Sequence, residues 1–184
     1  GPALSDAPCT IFESAEGAPV SGVRISIVDA DTGLPAEVLG EDGISAFPST
    51  IVSGTTATDA SGRIYEFPPG GYRFPQLLSG RYRLVVEAPP PLLSPSTVLP
   101  ADLAGFRAPG GAPLALSAAS YSGVFTLGEG VPVRLDIPVD SARAELDLAK
   151  TASQPVAEPG DAIQYRITLR NPSARQATGI IRLT

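Results

Sequence analysis

The stretch from residue 58 to residue 90 reads TDASGRIYEFPPGGYRFPQLLSGRYRLVVEAPP and decides the fold. Short runs of β-branched and aromatic residues alternate there with Gly, Pro, Asp and Ser, a pattern typical of strands joined by tight turns. The DASG segment predicts a hairpin between TTATD and RIYEF. In the last run, Tyr82, Leu84 and Val86 fall on one face of a strand, which the following prolines end because they lack an N–H donor. The stretch therefore predicts one half of a β-sandwich.

Alternation with a period of two residues, which marks half-buried strands, recurs on both sides of this stretch. It is clearest in three runs, whose positions on one face are Val23, Ile25 and Ile27, then Val131, Val133, Leu135 and Ile137, and finally Ile163, Tyr165, Ile167 and Leu169. A first strand is predicted at residues 9–13 and a short one at AEVL. Residues 44–54 are predicted to form a loop, and PADLAGF a single helical turn.

The composition favours the same fold class. The 184 residues include 19 Gly and 20 Pro, a density of turn formers that suits many short strands. A hydrophobic fraction of 43% is sufficient for a packed core. We expect an all-β, antiparallel β-sandwich with a long Pro/Gly-rich insertion at residues 89–120. Insertions of this length often cover a sheet edge or carry a contact surface.

The charge balance limits the partners. The formal net charge is −6, so the chain repels nucleic-acid phosphates and anionic lipid surfaces. No apolar run approaches the ~20 residues that span a bilayer. We therefore expect no nucleic-acid partner and no membrane insertion of this segment.

Histidine is absent and cysteine occurs once. Without histidine, Ser–His and Cys–His nucleophilic systems and histidine-based zinc sites cannot form within the chain. Cys9 is expected to be a buried apolar side chain, the usual state of a free cysteine. We expect no enzymatic activity and no catalytic residue.

Calcium is the one cofactor for which the sequence offers candidate ligands. Asp29 and Asp31 lie in DADTG, and Asp59 lies in TDASG. Calcium takes about 6–8 oxygen ligands, and the third Asp and distant Glu of an EF-type loop are missing. Turn carboxylates more often accept hydrogen bonds from their own backbone N–H groups, and we expect that role and no cofactor here.

Four aromatic side chains, Tyr65, Tyr72, Phe74 and Tyr82, cluster in the stretch that decides the fold. At strand spacing they are expected to belong to the core. The alternative is an aromatic surface that binds a ligand such as a glycan.

The segments PVSGVRISIVDADTG, TDASGRIYEF and LLSGRYRLVVEAP, in that order, resemble the prealbumin-like B-type domains of bacterial surface adhesins, such as collagen-adhesin and serine-aspartate adhesin B domains. The resemblance covers about residues 9–90 and weakens over residues 91–140. It implies a prealbumin-like β-sandwich at residues 9–140, preceded by an N-terminal arm at residues 1–8.

The segment LDLAKTASQPVAEPGDAIQYRITLRNPS resembles a second family, the Ig-like repeat of large bacterial surface proteins known as domain of unknown function eleven. A full repeat takes roughly 70–100 residues, so we expect residues 141–184 to be its incomplete N-terminal part. Related surface domains carry a Lys–Asn isopeptide bond, which makes Lys150 and Asn171 a candidate pair. A solvated lysine is the alternative.

Both resemblances imply a long, modular, exported bacterial protein. We expect a non-catalytic structural or adhesive segment at the cell surface, acting as a stalk or fibre subunit beside neighbouring copies or domains of the same protein. The strand with Ile163, Tyr165, Ile167 and Leu169 is the candidate assembly strand, because an open sandwich edge accepts a strand from another chain. Alternatively, its missing partner strands lie outside this sequence. The alternative function is an extracellular module that binds a glycan or protein, such as a host or matrix ligand.

Overall fold

A computed structural model describes residues 8–129, 132–142, 147–152, 158–160 and 162–170. The chain divides into two compact units, Gly1–Ser141 (unit 1) and Ala142–Thr184 (unit 2). The described residues form β-strands and short 3₁₀ helices, and none of their helices is long and apolar enough to cross a membrane. The predicted all-β class is confirmed.

Thirteen strands make up the described part of unit 1, most of them only two to six residues long. They are β1 (Cys9–Glu13), β2 (Arg24–Asp29), β3 (Val38–Leu39), β4 (Ala46–Phe47), β5 (Thr50–Val52), β6 (Thr56–Thr58), β7 (Ile64–Glu66), β8 (Gly71–Tyr72), β9 (Gln76–Leu77), β10 (Gly80–Glu87), β11 (Leu92–Leu93), β12 (Phe125–Leu127) and β13 (Ile137–Ser141). Two 3₁₀ helices, Pro100–Leu103 and Ala118–Tyr121, lie between β11 and β12. The first of these is the predicted helical turn.

Two four-stranded sheets organise unit 1, with strand orders β11-β13-β1-β8 and β12-β10-β2-β5. Smaller sheets, β4-β3-β9 and β6-β7, complete it. The β6–β7 pair is the predicted hairpin, with Thr56 opposite Glu66 and Thr58 opposite Ile64. One pairing departs from the antiparallel expectation, because β1 and β13 run parallel. Strands so far apart in sequence are not joined by a hairpin, so no turn forces them to be antiparallel.

The prediction of a loop at residues 44–54 is wrong. This segment contains β4 and β5, and β5 is the edge strand of a four-stranded sheet, with Ile51 paired to Ile25. The strands are short and separated by Pro48, so the sequence shows no alternating run. Ile51 is buried because the sheet supplies the partner that the local sequence does not reveal.

One hydrophobic cluster collects the inward side chains of both four-stranded sheets. From the first sheet it takes Ile11 and Ile137, and from the second it takes Ile25, Ile27 and Leu84. The predicted alternation in β2 and β10 is confirmed, because these side chains are buried while their neighbours Arg24 and Arg83 face solvent. Burying a side chain of this size contributes about 1.5–3 kcal/mol, so the shared cluster dominates the stability of unit 1.

In unit 2 the structure describes a two-stranded antiparallel sheet of β14 (Asp147–Ala152) and β15 (Tyr165–Arg170). Its register places Lys150 opposite Ile167 and Ala152 opposite Tyr165. The predicted assembly strand therefore pairs with a strand of its own chain. It begins at Tyr165, so Ile163 lies just before it.

Candidate functional site

The insertion between β11 and β12 leaves the edge strand β11 and passes beside the side of β13 that faces away from β1, and we call its residues 94–121 the strap. The backbone N–H of Asp136 donates to the carbonyl of Ala115 in the strap, at 2.9 Å. The carbonyl of Val139 points toward β1, because that oxygen accepts from the N–H of Ser14. Pro138 therefore directs its nitrogen away from β1, where it offers no donor. The strap thus contacts the chain just before the short stretch in which β11 pairs with β13.

Asp136 is the first buried carboxylate that holds the strap, and its side chain is fully buried. Its two oxygens accept the N–H of Thr10 in β1 at 2.9 Å and the N–H of Ala115 in the strap at 2.8 Å. Arg134 supplies a counter-charge at 3.0 Å from Oδ2. These donors and the counter-charge compensate for the hydration that Asp136 loses on burial.

Asp140 is the second buried carboxylate, and it accepts bonds from both sides. Ser14, which directly follows β1, donates through Oγ at 2.6 Å, and Ser96 of the strap donates through Oγ at the same distance. Thr97 adds its backbone N–H at 2.8 Å and its hydroxyl at 3.2 Å. Burial raises the pKa of Asp140, but these hydrogen bonds outweigh it and hold the pKa below its ordinary value.

Two further contacts fix the strap. The ring of Phe106 lies against Gly17, so close that a Cβ on Gly17 would stand 2.5 Å from Cδ1. The hydroxyl of Tyr121 donates to the carbonyl of Val98 at 2.8 Å, which ties the two arms of the strap together. Ser117 caps the second 3₁₀ helix by accepting the N–H of Ala119. The strap is therefore an ordered element with defined anchors.

Between the two arms lies a hollow of about 240 Å³, which we call the strap hollow. It is lined by residues 96–100 with Ser117, Ala118 and Tyr121. None of these lining residues carries a formal charge at neutral pH. Chemically the hollow can accept an uncharged, largely apolar group.

The first two calcium candidates lie in one turn, where Asp29 is occupied by its own backbone. Its Oδ1 accepts the N–H groups of Asp31 and Thr32, each at 2.9 Å. The bond from the Thr32 N–H is the main cause that lowers the pKa of Asp29. Asp31 pairs with Arg81 at 2.6 Å. This is the capping role that the sequence predicts for turn carboxylates.

Asp59 lies in the β6–β7 turn and, like Asp29, accepts hydrogen bonds from its own turn. Its Oδ1 accepts from the backbone N–H and hydroxyl of Ser61, and its Oδ2 accepts from the hydroxyl of Tyr65 at 3.0 Å. The Ser61 hydroxyl contributes most to lowering the pKa of Asp59. Among the described residues, no three Asp, Glu, Cys or His side chains lie together as a metal site would require.

Of the candidate isopeptide pair, the structure describes Lys150 alone. Lys150 lies in β14 with its Nζ 4.2 Å from the centroid of the Tyr165 ring, a cation–π contact. Asn171 lies outside the described residues, so the bond stays a prediction.

The assembly candidates expose apolar surface. Ile163, Tyr165 and Ile167 have 37%, 56% and 47% of their surface accessible. Directly opposed residues of an antiparallel pair share a face, so Ala152 and Lys150 lie on the same face as Tyr165 and Ile167. Leu169 belongs to β15, opposite Leu148. The described part of unit 2 therefore presents an apolar face with Lys150 on it.

The aromatic residues are core residues, as expected, and the alternative of an aromatic binding surface is wrong. Tyr65, Tyr72, Phe74 and Tyr82 are all buried. The hydroxyl of Tyr72 donates to the carbonyl of Leu135 at 2.6 Å, so even its polar atom points inward. Their faces are therefore closed to a glycan.

Cys9 is buried, which confirms its predicted place. Burial is the main cause that raises its pKa to about 11, so the thiol stays protonated at neutral pH. Asp136 and Asp140 are the residues that sequence reasoning missed. The available signal was in RLDIPVDS, where Asp136 lies between two apolar residues and Asp140 follows a third.

Comparison with protein-family models, with curated proteins and with solved structures finds no match for this chain. The inference about function therefore depends on the site itself. In unit 1 the buried acids hold an ordered strap to the sheet, and in unit 2 apolar side chains face outward.

Proposed function

We propose that this chain is a non-catalytic structural or adhesive segment of a large exported bacterial surface protein, acting as a stalk or fibre subunit. In this proposal unit 1 is a prealbumin-like B-type β-sandwich and unit 2 is part of an Ig-like repeat. The resemblances of residues 9–90 and 146–173 support the assignment. Its setting is the extracellular face of the cell, and no cofactor takes part.

The single observation that carries the proposal is how the buried polar groups of unit 1 are used. Asp136 and Asp140 accept hydrogen bonds from backbone N–H groups and hydroxyls of the strap and of the segment formed by β1 and Ser14. Carboxylates in that position hold distant segments together, because each hydrogen bond that they accept comes from another part of the chain. We call a carboxylate with this role a fastener. A unit held in this way keeps its shape and can transmit position along a stalk.

Assembly through unit 2 is the second part of the proposal. The two-stranded sheet β14–β15 is marginal by itself in water, since isolated hairpins need a further strand or a packed face. Tyr165 and Ile167 offer such a face. A strand or sheet from a neighbouring copy or domain would cover it, with strand addition to β15 as the specific mode.

Electron microscopy of the chain, alone and as tandem copies, tests this function. We expect regular linear assemblies whose formation weakens when Tyr165 and Ile167 are both changed to Ser. The exposed pair Ile64 and Leu78 of unit 1, changed in the same way, serves as the matched control. Dispersed particles at every concentration, with no effect of either pair, would contradict the assembly proposal.

The strap hollow favours a second candidate function, an extracellular module that binds a protein or an uncharged glycan group. Its walls are set in place by Asp140 and Tyr121, so binding would not require the loop to become ordered. Glycan and peptide arrays probed with the intact chain test this candidate. Specific binding that is lost on changing Ala118 to Phe would support it, and binding unaffected by that change would oppose it.

A further inference from the structure

The two-stranded β6–β7 sheet leaves the outer edge of β7 open in the described structure. Asp59 donates its backbone N–H to the carbonyl of Arg63 at 3.1 Å, and hydrogen-bonded pairs recur at every second residue of an antiparallel ladder. Tyr65 therefore faces β6, whereas Ile64 and Glu66 direct their N–H and C=O groups away from it. Within the described part of the chain, no hydrogen bond reaches these outward groups. They can pair with a further strand.

The outer edges of β4, β5 and β8 differ, because each receives a hydrogen bond from a neighbouring segment. The carbonyl of Ala46 in β4 accepts a backbone N–H at 2.8 Å, and the carbonyl of Gly71 in β8 accepts the N–H of Gly54 at 2.9 Å. In β5 the carbonyl of Val52 accepts the hydroxyl of Thr55 at 2.8 Å. The β6–β7 hairpin carries no such bond on either outer edge within the described residues. Of its two edges, the β7 edge borders a hollow.

This hollow has a volume of about 210 Å³, and we call it the edge hollow. Its lining consists of the consecutive residues 63–67 together with Pro8 and Arg73. Successive side chains of a strand point to opposite faces, so a hollow lined by consecutive residues lies along the edge of β7 and not over one face. Its volume is below the roughly 300–1,000 Å³ of small-molecule sites. The small volume and the open N–H and C=O groups together favour an extended peptide segment as the occupant.

The charges on one face of β7 favour an acidic side chain in that segment. Arg63 and Arg73 both pair with the carboxylate of Glu41, one with each oxygen. Glu66, the other charged residue of the lining, points to the opposite face of β7 and is exposed. Asp59 also lies near Arg63, but its oxygens accept hydrogen bonds within the hairpin. Two guanidinium groups therefore share one carboxylate beside the edge hollow, and a second carboxylate would complement them.

We propose that the outer edge of β7 binds an extended, acidic segment of a second protein chain, which adds a strand to the β6–β7 sheet. The residues of that segment opposite Ile64 and Glu66 exchange backbone hydrogen bonds with them. The residue opposite Tyr65 places an acidic side chain on the face of β7 that carries Arg63, since the Arg63 guanidinium lies 5.3 Å from the centroid of the Tyr65 ring. This inference goes beyond the proposed function and does not depend on assembly through unit 2, so either can fail alone.

Strand addition is suited to a contact of this size. Its affinity comes from main-chain hydrogen bonds and its specificity from the alternate side chains, so a large buried area is not required. A third strand also stabilises a two-stranded sheet, which is marginal by itself in water. The added strand therefore benefits the hairpin as well as the partner.

Titration of the intact chain with a probe peptide, followed by amide NMR spectra, tests the pairing directly. The probe is a short synthetic peptide of alternating Val and Asp, blocked at both ends. We expect the amide resonances of Ile64 and Glu66 to shift and their hydrogen exchange to slow on binding.

Two control peptides separate charge from backbone pairing. A peptide of alternating Val and Lys should bind roughly tenfold more weakly, because its cations meet Arg63 and Arg73. The Val–Asp peptide with N-methylated Val amides keeps its charge but loses the donors for Ile64 and Glu66, and it should not bind. Equal binding of all three peptides would overturn the proposal. Slow exchange of the Ile64 and Glu66 amides in the peptide-free chain would also overturn it, because the edge would then be closed.

Proline variants of the chain provide the second measurement. Ile64→Pro removes an outward N–H without breaking a ladder bond to β6, and edge strands tolerate proline at such positions. Thr58→Pro is the matched control, because Thr58 lies directly opposite Ile64 and directs its N–H to the other edge of the hairpin. Ile64→Pro should weaken binding of the Val–Asp peptide about tenfold, since a main-chain hydrogen bond is lost. Thr58→Pro should leave binding unchanged, and equal effects of the two variants would overturn the proposal.

A charge variant tests the acidic preference without changing the backbone. Arg63→Gln should weaken binding of the Val–Asp peptide about threefold, as expected for a partly exposed ion pair. The matched control is Arg83→Gln, at an exposed position of β10. It should have no effect, and equal weakening by both variants would show that the peptide does not meet Arg63 and would overturn the proposal.

Discussion

Apolar side chains on alternating strands are buried in unit 1 and exposed in the described sheet of unit 2. In unit 1, Ile27 is fully buried in a cluster shared by two sheets. In unit 2, Ile167 lies on a comparable alternating strand and remains 47% exposed. The same strand pattern therefore ends in a closed core in one place and in an exposed apolar surface in the other.

Polar groups show the same contrast. Asp140 of unit 1 is buried and accepts hydrogen bonds from Ser14, which follows β1, and from the strap, so it joins segments distant in sequence. In unit 2, Lys150 contacts the ring of Tyr165 on an exposed face. Long-range polar contacts therefore stabilise unit 1, whereas the described contact of Lys150 is local to its hairpin.

The largest expected effect tests the contrast between the isoleucines. Ile27→Ala should lower the free energy of unfolding of unit 1 by about 4 kcal/mol, because it leaves a cavity in the shared core. Ile167→Ala should change the free energy of unfolding of unit 2 by no more than about 0.5 kcal/mol. Urea denaturation followed by circular dichroism measures both. Equal losses would show that Ile167 is buried in its own unit as Ile27 is and would remove the contrast.

The next largest effect is expected at the contact between Gly17 and the Phe106 ring of the strap. Gly17 has φ +74° and faces the Phe106 ring, whereas Gly33 has φ +73° and no atom near its missing side chain. Gly33→Ala should cost about 1 kcal/mol through backbone strain alone. Gly17→Ala should cost about 3 kcal/mol, because the ring must also move. Thermal unfolding distinguishes them, and identical shifts would mean that Phe106 does not hold the strap.

A smaller effect concerns the Asp140 fastener and its dependence on pH. Asp140→Asn should cost about 2 kcal/mol at pH 7, since charged hydrogen bonds are lost. The folded pKa of Asp140 lies below its unfolded value, so its contribution is complete above the unfolded pKa of about 3.9 and is lost as the pH falls through the folded value. The difference between wild type and Asp140→Asn in urea should therefore shrink below about pH 4.

The neighbouring groups and a control sharpen that measurement. Among the described residues, Glu13 of β1, which accepts from the Ser141 hydroxyl, and Tyr121 of the strap are titratable groups near Asp140. Asp102→Asn makes the same chemical change at an exposed position of the strap. It should leave the stability and its pH dependence unaltered. A difference for Asp140→Asn that stays constant down to pH 2 would argue against the fastener.

The smallest effect lies in the hairpin of unit 2. Lys150→Gln removes the cation from the Tyr165 ring and should destabilise the hairpin by less than about 1 kcal/mol. The ring resonances of Tyr165 in NMR spectra report the change. An intact mass short by one ammonia, restored by Lys150→Gln, would instead establish the isopeptide bond with Asn171.

The sequence predicts β2 and β10, where alternation is continuous. The alternating run that ends at Ile137 is wrong as a strand prediction, because residues 132–136 are not in a strand and β13 begins only at Ile137. Ile25, Ile27, Tyr82 and Leu84 are buried as expected because period-two patterning is a local property. The β6–β7 hairpin follows equally from its turn residues.

What the sequence does not predict depends on distant partners. The parallel pairing of β1 with β13 brings Ile11 beside Ile137, and nothing local encodes it. β5 is too short to show alternation. Asp136 and Asp140 have acidic side chains that are buried only because β1 and the strap provide donors, so the candidate site could not be derived from residue types alone.

Residue-level hydrogen exchange on the intact chain, at dilute and at assembly-promoting concentrations, tests the central contrast most directly. The account predicts that the amides of β2 and β10 exchange slowly at both concentrations. The amides of β15 should exchange rapidly in dilute solution and become protected on assembly. Amides of β15 that are slow already in dilute solution and unchanged on concentration would contradict it.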